Sequence, residues 1–186
     1  WMPFGPERTI TKSEDNMVYE LEGIPIYDFY AKYLEGIVDD VEEAAKIYPF
    51  GLATTSGDDR LIRAFLSFDE NKNAVFAGDM PEGSKLRLLR TNINHLIDSA
   101  AIAATNSWKP FEMQDPEFAL IVNCNARKLV LEDWVNEEIT EVQQQLGSNT
   151  KSIGFYSMGE YSPQYKNTKT ELHNHTMTIT TFSEDK

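Results

Sequence analysis

Phe118-Ala119-Leu120-Ile121-Val122 is a continuous run of apolar residues, and the fold of the chain is best predicted by working outward from it. Such a run is typical of a central β-strand that is covered on both faces. The segment before it, residues 92–104, has the apolar periodicity and the capping residue of a helix. Residues 136–146 form a second predicted helix, which Gly147 closes. The centre of the chain is therefore predicted to be a strand packed against helices.

Short strands and helices alternate through the rest of the chain. Residues 17–21 are predicted as a strand, and the helix that follows has apolar residues at the i, i+3, i+4, i+7 spacing. Residues 62–68 and 74–77 flank a polar turn and predict a hairpin. We therefore predict a single α+β domain over residues 9–186, with a mixed, mainly antiparallel sheet covered by helices. Residues 1–8 are rich in Pro and Gly and are predicted to be a tail or a linker from a preceding domain.

Charge and cysteine content exclude several classes of function. The 186 residues include 17 Lys and Arg against 30 Asp and Glu, which gives a net charge of -13. That charge repels phosphate backbones and anionic lipids, so we expect neither a nucleic-acid partner nor membrane insertion. Cys124 is the only cysteine, which fits a reducing, cytoplasmic compartment. Because the chain begins at Trp1 without a methionine, we expect it to be part of a longer protein.

The last third of the chain places chemically versatile side chains in strand-like sequence. His173 and His175 are two residues apart, so on a strand both imidazoles would leave the same face. Glu160 or Cys124 would then supply a third ligand for a catalytic metal ion. Alternatively, Cys124 is a nucleophile activated by His173 and Glu160. Both arrangements predict a metal-dependent or thiol-dependent hydrolase, whereas the simpler interpretation is a set of hydrogen-bonded structural residues.

Arg127 follows Cys124 by three residues, at the end of the predicted buried strand. A long cation is seldom placed there without a partner. Its guanidinium is suited to a bidentate contact with a carboxylate, which would belong either to a ligand or to Glu160. Both alternatives stay open from the residues alone.

Several segments spread over residues 9–182 resemble the C-terminal half of the FIST domain, named for F-box and intracellular signal transduction proteins. Two of them are the most specific in combination: Gly154-Phe155-Tyr156-Ser157-Met158-Gly159-Glu160 and His173-Asn174-His175-Thr176-Met177-Thr178. The others are residues 18–23, 48–52, 62–64, 78–84 and 123–127.

The resemblance implies a sensory input domain rather than an enzyme, with no cofactor. Its expected partners are a small molecule such as an amino acid, the missing N-terminal half of the same protein, and a downstream signalling module. The polar positions that match the family are the implied ligand-binding residues: Cys124, Arg127, Glu160, His173 and Asn174. Arg127 would pair a ligand carboxylate and Glu160 an ammonium group, while His173 and Asn174 orient the polar groups.

At one position the chain departs from the family pattern. The family more often has glutamine where this chain has His175, which argues against a metal site. A protein-interaction scaffold is a third possibility, and it predicts a large exposed apolar patch.

Overall fold

The computed structural model describes residues 1–37, 39–53, 60–109, 116–163 and 169–184. Helices and strands are mixed along the chain, and most strand pairs are antiparallel. The prediction of an α+β fold with a mixed, mainly antiparallel sheet and helices is therefore confirmed.

The chain forms two compact units. The first comprises Trp1–Arg90 and Leu172–Asn174, and the second comprises Thr91–Glu171 and His175–Lys186. The proposed boundaries of a tail over residues 1–8 and a domain over residues 9–186 stay a prediction.

The first unit is built on antiparallel strands. Their bounds are β1 (Met2–Pro3), β2 (Arg8–Glu14), β3 (Met17–Leu21), β4 (Ile24–Pro25), β5 (Phe50–Ala53), β6 (Arg60–Arg63), β7 (Phe65–Phe68), β8 (Ala74–Phe76) and β9 (Lys85–Arg90). The strand order is β6-β5-β9-β2-β3-β8-β7, with β1 paired to β9 and β4 paired to β3. β1 lies in the segment predicted as a tail, and β7 with β8 forms the predicted hairpin.

Two helices and an aromatic core complete the first unit. The helices are α1 (Ile26–Leu34) and α2 (Val41–Ile47). The predicted apolar face of α1 is confirmed, since Ile26, Phe29 and Tyr30 are buried. The ring of Tyr30 lies 5.2 Å from that of Phe50 and 5.8 Å from that of Phe65. These contacts join α1 to the sheet.

Among the described residues, the second unit has a three-stranded sheet, three α-helices and a short 3-10 helix, Glu132–Trp134. The elements are α3 (Ile93–Asn106), β10 (Phe118–Cys124), α4 (Asn125–Leu131), α5 (Val135–Leu146), β11 (Lys151–Ser157), β12 (Glu160–Pro163) and β14 (Met177–Phe182), while β13 (Thr170–His173) begins in this unit and ends in the first. β10 is central, parallel to β11 on one side and antiparallel to β14 on the other. β12 and β13 form a separate two-stranded pair.

The prediction that β10 is covered on both faces is wrong. Ala119 and Ile121 point to one face and pack in a cluster with Ala100 of α3 and Val142 of α5. Phe118, on the opposite face, stays 38% exposed. The apolar run identified a central strand, but its composition does not reveal that the helices lie on one side only.

The core of the first unit makes a testable prediction. The hydroxyl of Tyr30 is fully buried and has no hydrogen-bond partner among the described residues, whereas the hydroxyl of Tyr33 accepts a hydrogen bond from Arg8. We expect Tyr30→Phe to raise the free energy of unfolding by about 1 kcal/mol, because an unsatisfied buried hydroxyl costs roughly 1–3 kcal/mol. The matched Tyr33→Phe should lower it by about 0.5–1.5 kcal/mol, since a satisfied bond is lost. Urea denaturation measures both, and a destabilised Tyr30→Phe would contradict this reading of the core.

Candidate functional site

The five predicted ligand-binding residues are all buried, and they fall into both units. Cys124, Arg127 and Glu160 belong to the second unit, while His173 and Asn174 belong to the first. Each group has its own set of hydrogen bonds.

Glu160 is the centre of a buried polar group in the second unit. Its carboxylate accepts hydrogen bonds from Ser157 Oγ at 2.5 Å and from Thr176 Oγ1 at 2.7 Å. The thiol of Cys124 also interacts with this carboxylate, and the backbone N–H of Cys124 donates to the carbonyl of Thr176 at 2.9 Å. We call Cys124, Ser157, Glu160 and Thr176 the Glu160 cluster. It joins the end of β10, the end of β11, the start of β12 and the residue before β14.

The electrostatics of the Glu160 cluster follow from burial. Burial raises the pKa of Glu160, although the hydrogen bonds from Ser157, Thr176 and Cys124 oppose the shift. Burial, and then the negative charge of Glu160, raise the pKa of the Cys124 thiol. Cys124 is therefore a protonated thiol at neutral pH. Among the described residues, the donors to the Glu160 carboxylate are uncharged, an environment suited to a ligand that carries positive charge.

Arg127 lies in the first turn of α4 and pairs with Glu138 of α5. Its Nε donates to Glu138 Oε1 at 3.0 Å, and its Nη2 contacts the same oxygen. Nη2 also donates to the carbonyl of Leu96 at 2.9 Å, while Nη1 reaches Ser99 Oγ at 3.4 Å and the carbonyl of His175 at 3.5 Å. The guanidinium is thus engaged on all three of its nitrogens.

The partner of Arg127 was not among the predicted ones. Sequence reasoning left a ligand carboxylate and Glu160 open, and the structure supplies Glu138, which also accepts a hydrogen bond from Asn123 Nδ2 at 2.7 Å. Glu138 sits in the first turn of α5, where an acidic residue is ordinary. Glu138 differs from the neighbouring Glu137 in being buried. The ligand role of Arg127 stays a prediction, and a ligand carboxylate would have to displace Glu138.

His175 lies in the bend between β13 and β14. The prediction of one strand carrying both His173 and His175 on the same face is wrong, because β13 ends at His173 and His175 has a φ of 55°. Burial, together with the charge of Arg127, lowers the pKa of His175 to about 3, so its imidazole is neutral at pH 7. Among the residues that the structure describes, no three or more His, Cys, Asp or Glu side chains form a group that could hold a metal ion.

In the first unit, Asn174 and Leu172 are hydrogen-bonded to Ala64 and to Arg63, respectively. Asn174 Oδ1 accepts from the backbone N–H of Ala64 at 3.2 Å. Arg63 Nη1 donates to the carbonyl of Leu172 at 2.9 Å, and its Nε donates to that of Asp79 at 3.2 Å. These bonds attach the segment Leu172–Asn174 to the sheet of the first unit.

Sequence reasoning missed several of these polar residues. Ser157 and Thr176 were quoted only as parts of motifs, although each hydroxyl-bearing residue stands close in sequence to a predicted site residue. Arg63 was given no role, although a cation inside a predicted apolar strand is the kind of residue that needs a partner.

Comparison with known proteins identifies one family. The sequence model of the FIST C domain matches residues 27–163, which is most of the chain. An uncharacterized protein of Methanocaldococcus jannaschii, MJ1623, is 25% identical over 170 residues. The alignment covers 84% of this chain but only 31% of that relative, so the chain spans about a third of the relative's length. No solved structure matches the chain significantly. No helix in the described residues is long and apolar enough to cross a membrane.

The pairing of Arg127 with Glu138 predicts a large effect of one isosteric substitution. Glu138→Gln leaves the Arg127 charge buried without its counter-charge, and we expect the free energy of unfolding to fall by roughly 3–5 kcal/mol. The neighbouring Glu137 is exposed on the same helix, so Glu137→Gln should change it by less than about 0.5 kcal/mol. Urea denaturation at neutral pH compares the two. Equal stability of both variants would show that the ion pair contributes little.

The buried neutral imidazole of His175 predicts a pH dependence. Its folded-state pKa of about 3 lies below the value of about 6.5 expected in the unfolded chain, so below pH 6.5 the unfolded state binds a proton that the native state does not. Stability is therefore lost as the pH falls through this range, by up to about 1.4 kcal/mol per pH unit.

We expect His175→Gln to flatten this dependence between about pH 6.5 and pH 4. His95 is exposed on α3, so His95→Gln should keep the wild-type slope. Denaturation curves at several pH values measure the slopes. Parallel profiles for wild type and His175→Gln would contradict a neutral buried imidazole.

Proposed function

The chain belongs to the FIST C domain family of signal-transduction sensory domains, and from this membership we propose that it is a sensory input domain that binds a small polar ligand. The observation that supports the proposal is the Glu160 cluster, a buried carboxylate that receives hydrogen bonds from uncharged donors. Amino acids are the ligand class that we propose, because each carries an ammonium group.

In the proposal, Glu160 binds the ammonium group of the ligand. A buried carboxylate is costly unless a cation or a full set of donors compensates it. The hydroxyls of Ser157 and Thr176 supply hydrogen bonds, but they carry no positive charge. An ammonium group would add both a charge-assisted hydrogen bond and the missing charge. The low dielectric of a buried site strengthens that attraction relative to water.

Burial of the cluster connects binding to a change of shape. Glu160 is 2% exposed and Cys124 is 1% exposed, so a ligand reaches the carboxylate only when the surrounding segments open locally. For a ligand to bind, the hydroxyls of Thr176, before β14, and Ser157, at the end of β11, must release or reorient their hydrogen bonds to Glu160. A ligand that binds only the opened form shifts the population toward it, which is what a sensor requires.

The other predicted contacts keep separate roles. In the proposal a ligand carboxylate would compete with Glu138 for Arg127. His173 and Asn174 belong to the first unit, and their role in orienting polar groups stays a separate prediction.

Geometry gives the hydrolase alternative no support. A thiol hydrolase needs an accessible thiolate, and Cys124 is buried with a raised pKa. His175, the second member of the proposed pair of metal ligands, lies in a bend rather than on the strand of His173. A binding function accounts for these residues better than a catalytic one.

The proposal extends to the context of the domain. We propose that it acts in the cytoplasm, beside an N-terminal half of the same protein, and that it passes the ligand-bound state to a downstream signalling module. The curated relative is about three times as long as the matched region, which leaves room for such parts in that protein.

A thermal-shift screen tests the function. Wild type and Glu160→Gln are heated with each of the common amino acids and with the des-amino acid that corresponds to each one. We expect at least one amino acid to raise the Tm of wild type, because a ligand that binds the folded protein in its locally opened form, and not the unfolded chain, stabilises the folded state. Its des-amino analogue should be inactive, and Glu160→Gln should bind at least about tenfold more weakly, the loss of a charged hydrogen bond. Glu137→Gln is the matched control and should bind like wild type.

Binding should also weaken at low pH. The ammonium group pairs with the ionised carboxylate, so affinity falls as the pH drops through the raised pKa of Glu160. Isothermal titration at several pH values measures this trend. If no amino acid shifts the Tm, or if Glu160→Gln binds like wild type, the proposed function is wrong.

A further inference from the structure

β11 is an edge strand whose side chains are exposed on both faces. In the order β11-β10-β14 it pairs with β10 on one side, and within the described residues no strand pairs with its outer side. Ile153 is 61% exposed and Phe155 is 58% exposed. Edge strands with exposed apolar residues are templates for pairing with another chain, and natural proteins usually cover or charge them. This strand has a single charge, on Lys151 at its start.

The helix-facing side of β11 is held firmly in place. Ser152 Oγ donates to Gln143 Oε1 at 2.9 Å, and Lys128 lies 5.3 Å from the centre of the Tyr156 ring. Gly154 is in close contact with β10, because a Cβ at this position would lie 2.5 Å from the carbonyl oxygen of Ile121. These contacts hold β11 in a defined position, with the backbone of its outer edge available for hydrogen bonds to another strand.

The open face of the sheet continues the apolar surface of β11. Ile153 and Phe155 lie beside Leu120 and Val122 of β10, on the face that the helices do not cover. Phe118 and Phe182 extend the same face, with their ring centres 6.0 Å apart, and Phe182 is 51% exposed. Contiguous exposed apolar patches larger than a few hundred Å² mark interaction sites in soluble proteins.

Charge identifies the kind of partner that suits this surface. The chain carries 30 Asp and Glu residues, yet β10, β11 and β14 contain none. Two copies of a chain with a net charge of -13 repel each other over most of their surfaces. The sheet of the second unit is a region where that repulsion is weak. An approach of two copies through this sheet therefore avoids part of that repulsion.

We propose that β11 pairs antiparallel with β11 of a second copy, about a two-fold axis at Gly154. In that register Ile153 faces Phe155 of the second copy, and Lys151 faces Ser157. Apolar residues then oppose apolar residues, and no like charges meet. The pairing extends the three-stranded sheet across the axis, and it joins the two open apolar faces. An isologous contact of this kind closes as a dimer.

Sedimentation velocity of the whole chain tests the proposal. Wild type should form a species of twice the chain mass of 21.2 kDa with increasing concentration. Ile153→Glu and Phe155→Lys each place a charge opposite an apolar side chain twice in the symmetric dimer, and each should weaken dimerisation at least about tenfold. Both positions are more than half exposed, so the variants should keep the wild-type circular dichroism, and they should keep its Tm at concentrations where the wild type is monomeric.

Mixing the two variants tests the register itself. In the mixed dimer Glu at position 153 of one copy faces Lys at position 155 of the other, while the second pair keeps its wild-type residues. Dimerisation should therefore be restored on mixing, as complementary charges across strands attract. Ile102→Glu and Leu129→Lys change exposed apolar residues on α3 and α4, and they should leave the dimer intact.

Three results would overturn the proposal. The first is a wild type that stays monomeric up to about 100 μM. The second is a dimer that the controls weaken as much as the β11 variants do. The third is a mixture that fails to restore the dimer. If the first result is accompanied by binding of an unrelated chain to β11, the partner of this strand is that chain and not a second copy.

Discussion

A buried guanidinium must have its donors satisfied, and the arrangement of the second unit depends on how Arg127 meets this requirement. Its charge is balanced by Glu138 of α5, and its other donors go to α3 and to the carbonyl of His175. One side chain of α4 therefore fixes α3, α5 and the bend before β14. The cost of desolvating both charges is large, so the pair specifies the arrangement more than it stabilises it.

The same pair sets the electrostatics around the proposed ligand site. Glu138 compensates the charge of Arg127, whereas the described donors to the Glu160 carboxylate are hydroxyls and a thiol. Arg127 also lowers the pKa of His175 and keeps that imidazole neutral. Thr176 follows directly, so the hydroxyl that reaches Glu160 is held by the segment that Arg127 fixes.

The elements with a strong hydrophobic period could be predicted from the sequence, and those defined by tertiary contacts could not. α1 was predicted because its buried residues recur at helical spacing, and β10 because its apolar run is continuous. α4 was missed because it has seven residues and no capping side chain. The partner of Arg127 was missed because Glu138 stands beside Glu137, and only folding buries one of them. Glu160 and Cys124 were both among the predicted ligand-binding residues, and the structure brings their side chains into contact, while their role in binding stays a prediction. Their hydroxyl partners, Ser157 and Thr176, could not be predicted, because only the folded strand ends bring these residues to Glu160.

β11 connects the two proposals. Its outer edge presents Ile153 and Phe155, and its last residue, Ser157, donates to the carboxylate of Glu160. Any opening that admits a ligand must change the contact of Ser157, and any pairing at the edge restrains the same strand. Two sites that bias one element influence each other, and the coupling is equal in both directions. A ligand that needs β11 to move would be disfavoured by a partner strand, and one that leaves β11 in place would be favoured. The strand therefore provides a physical route by which a bound ligand changes the association of two copies.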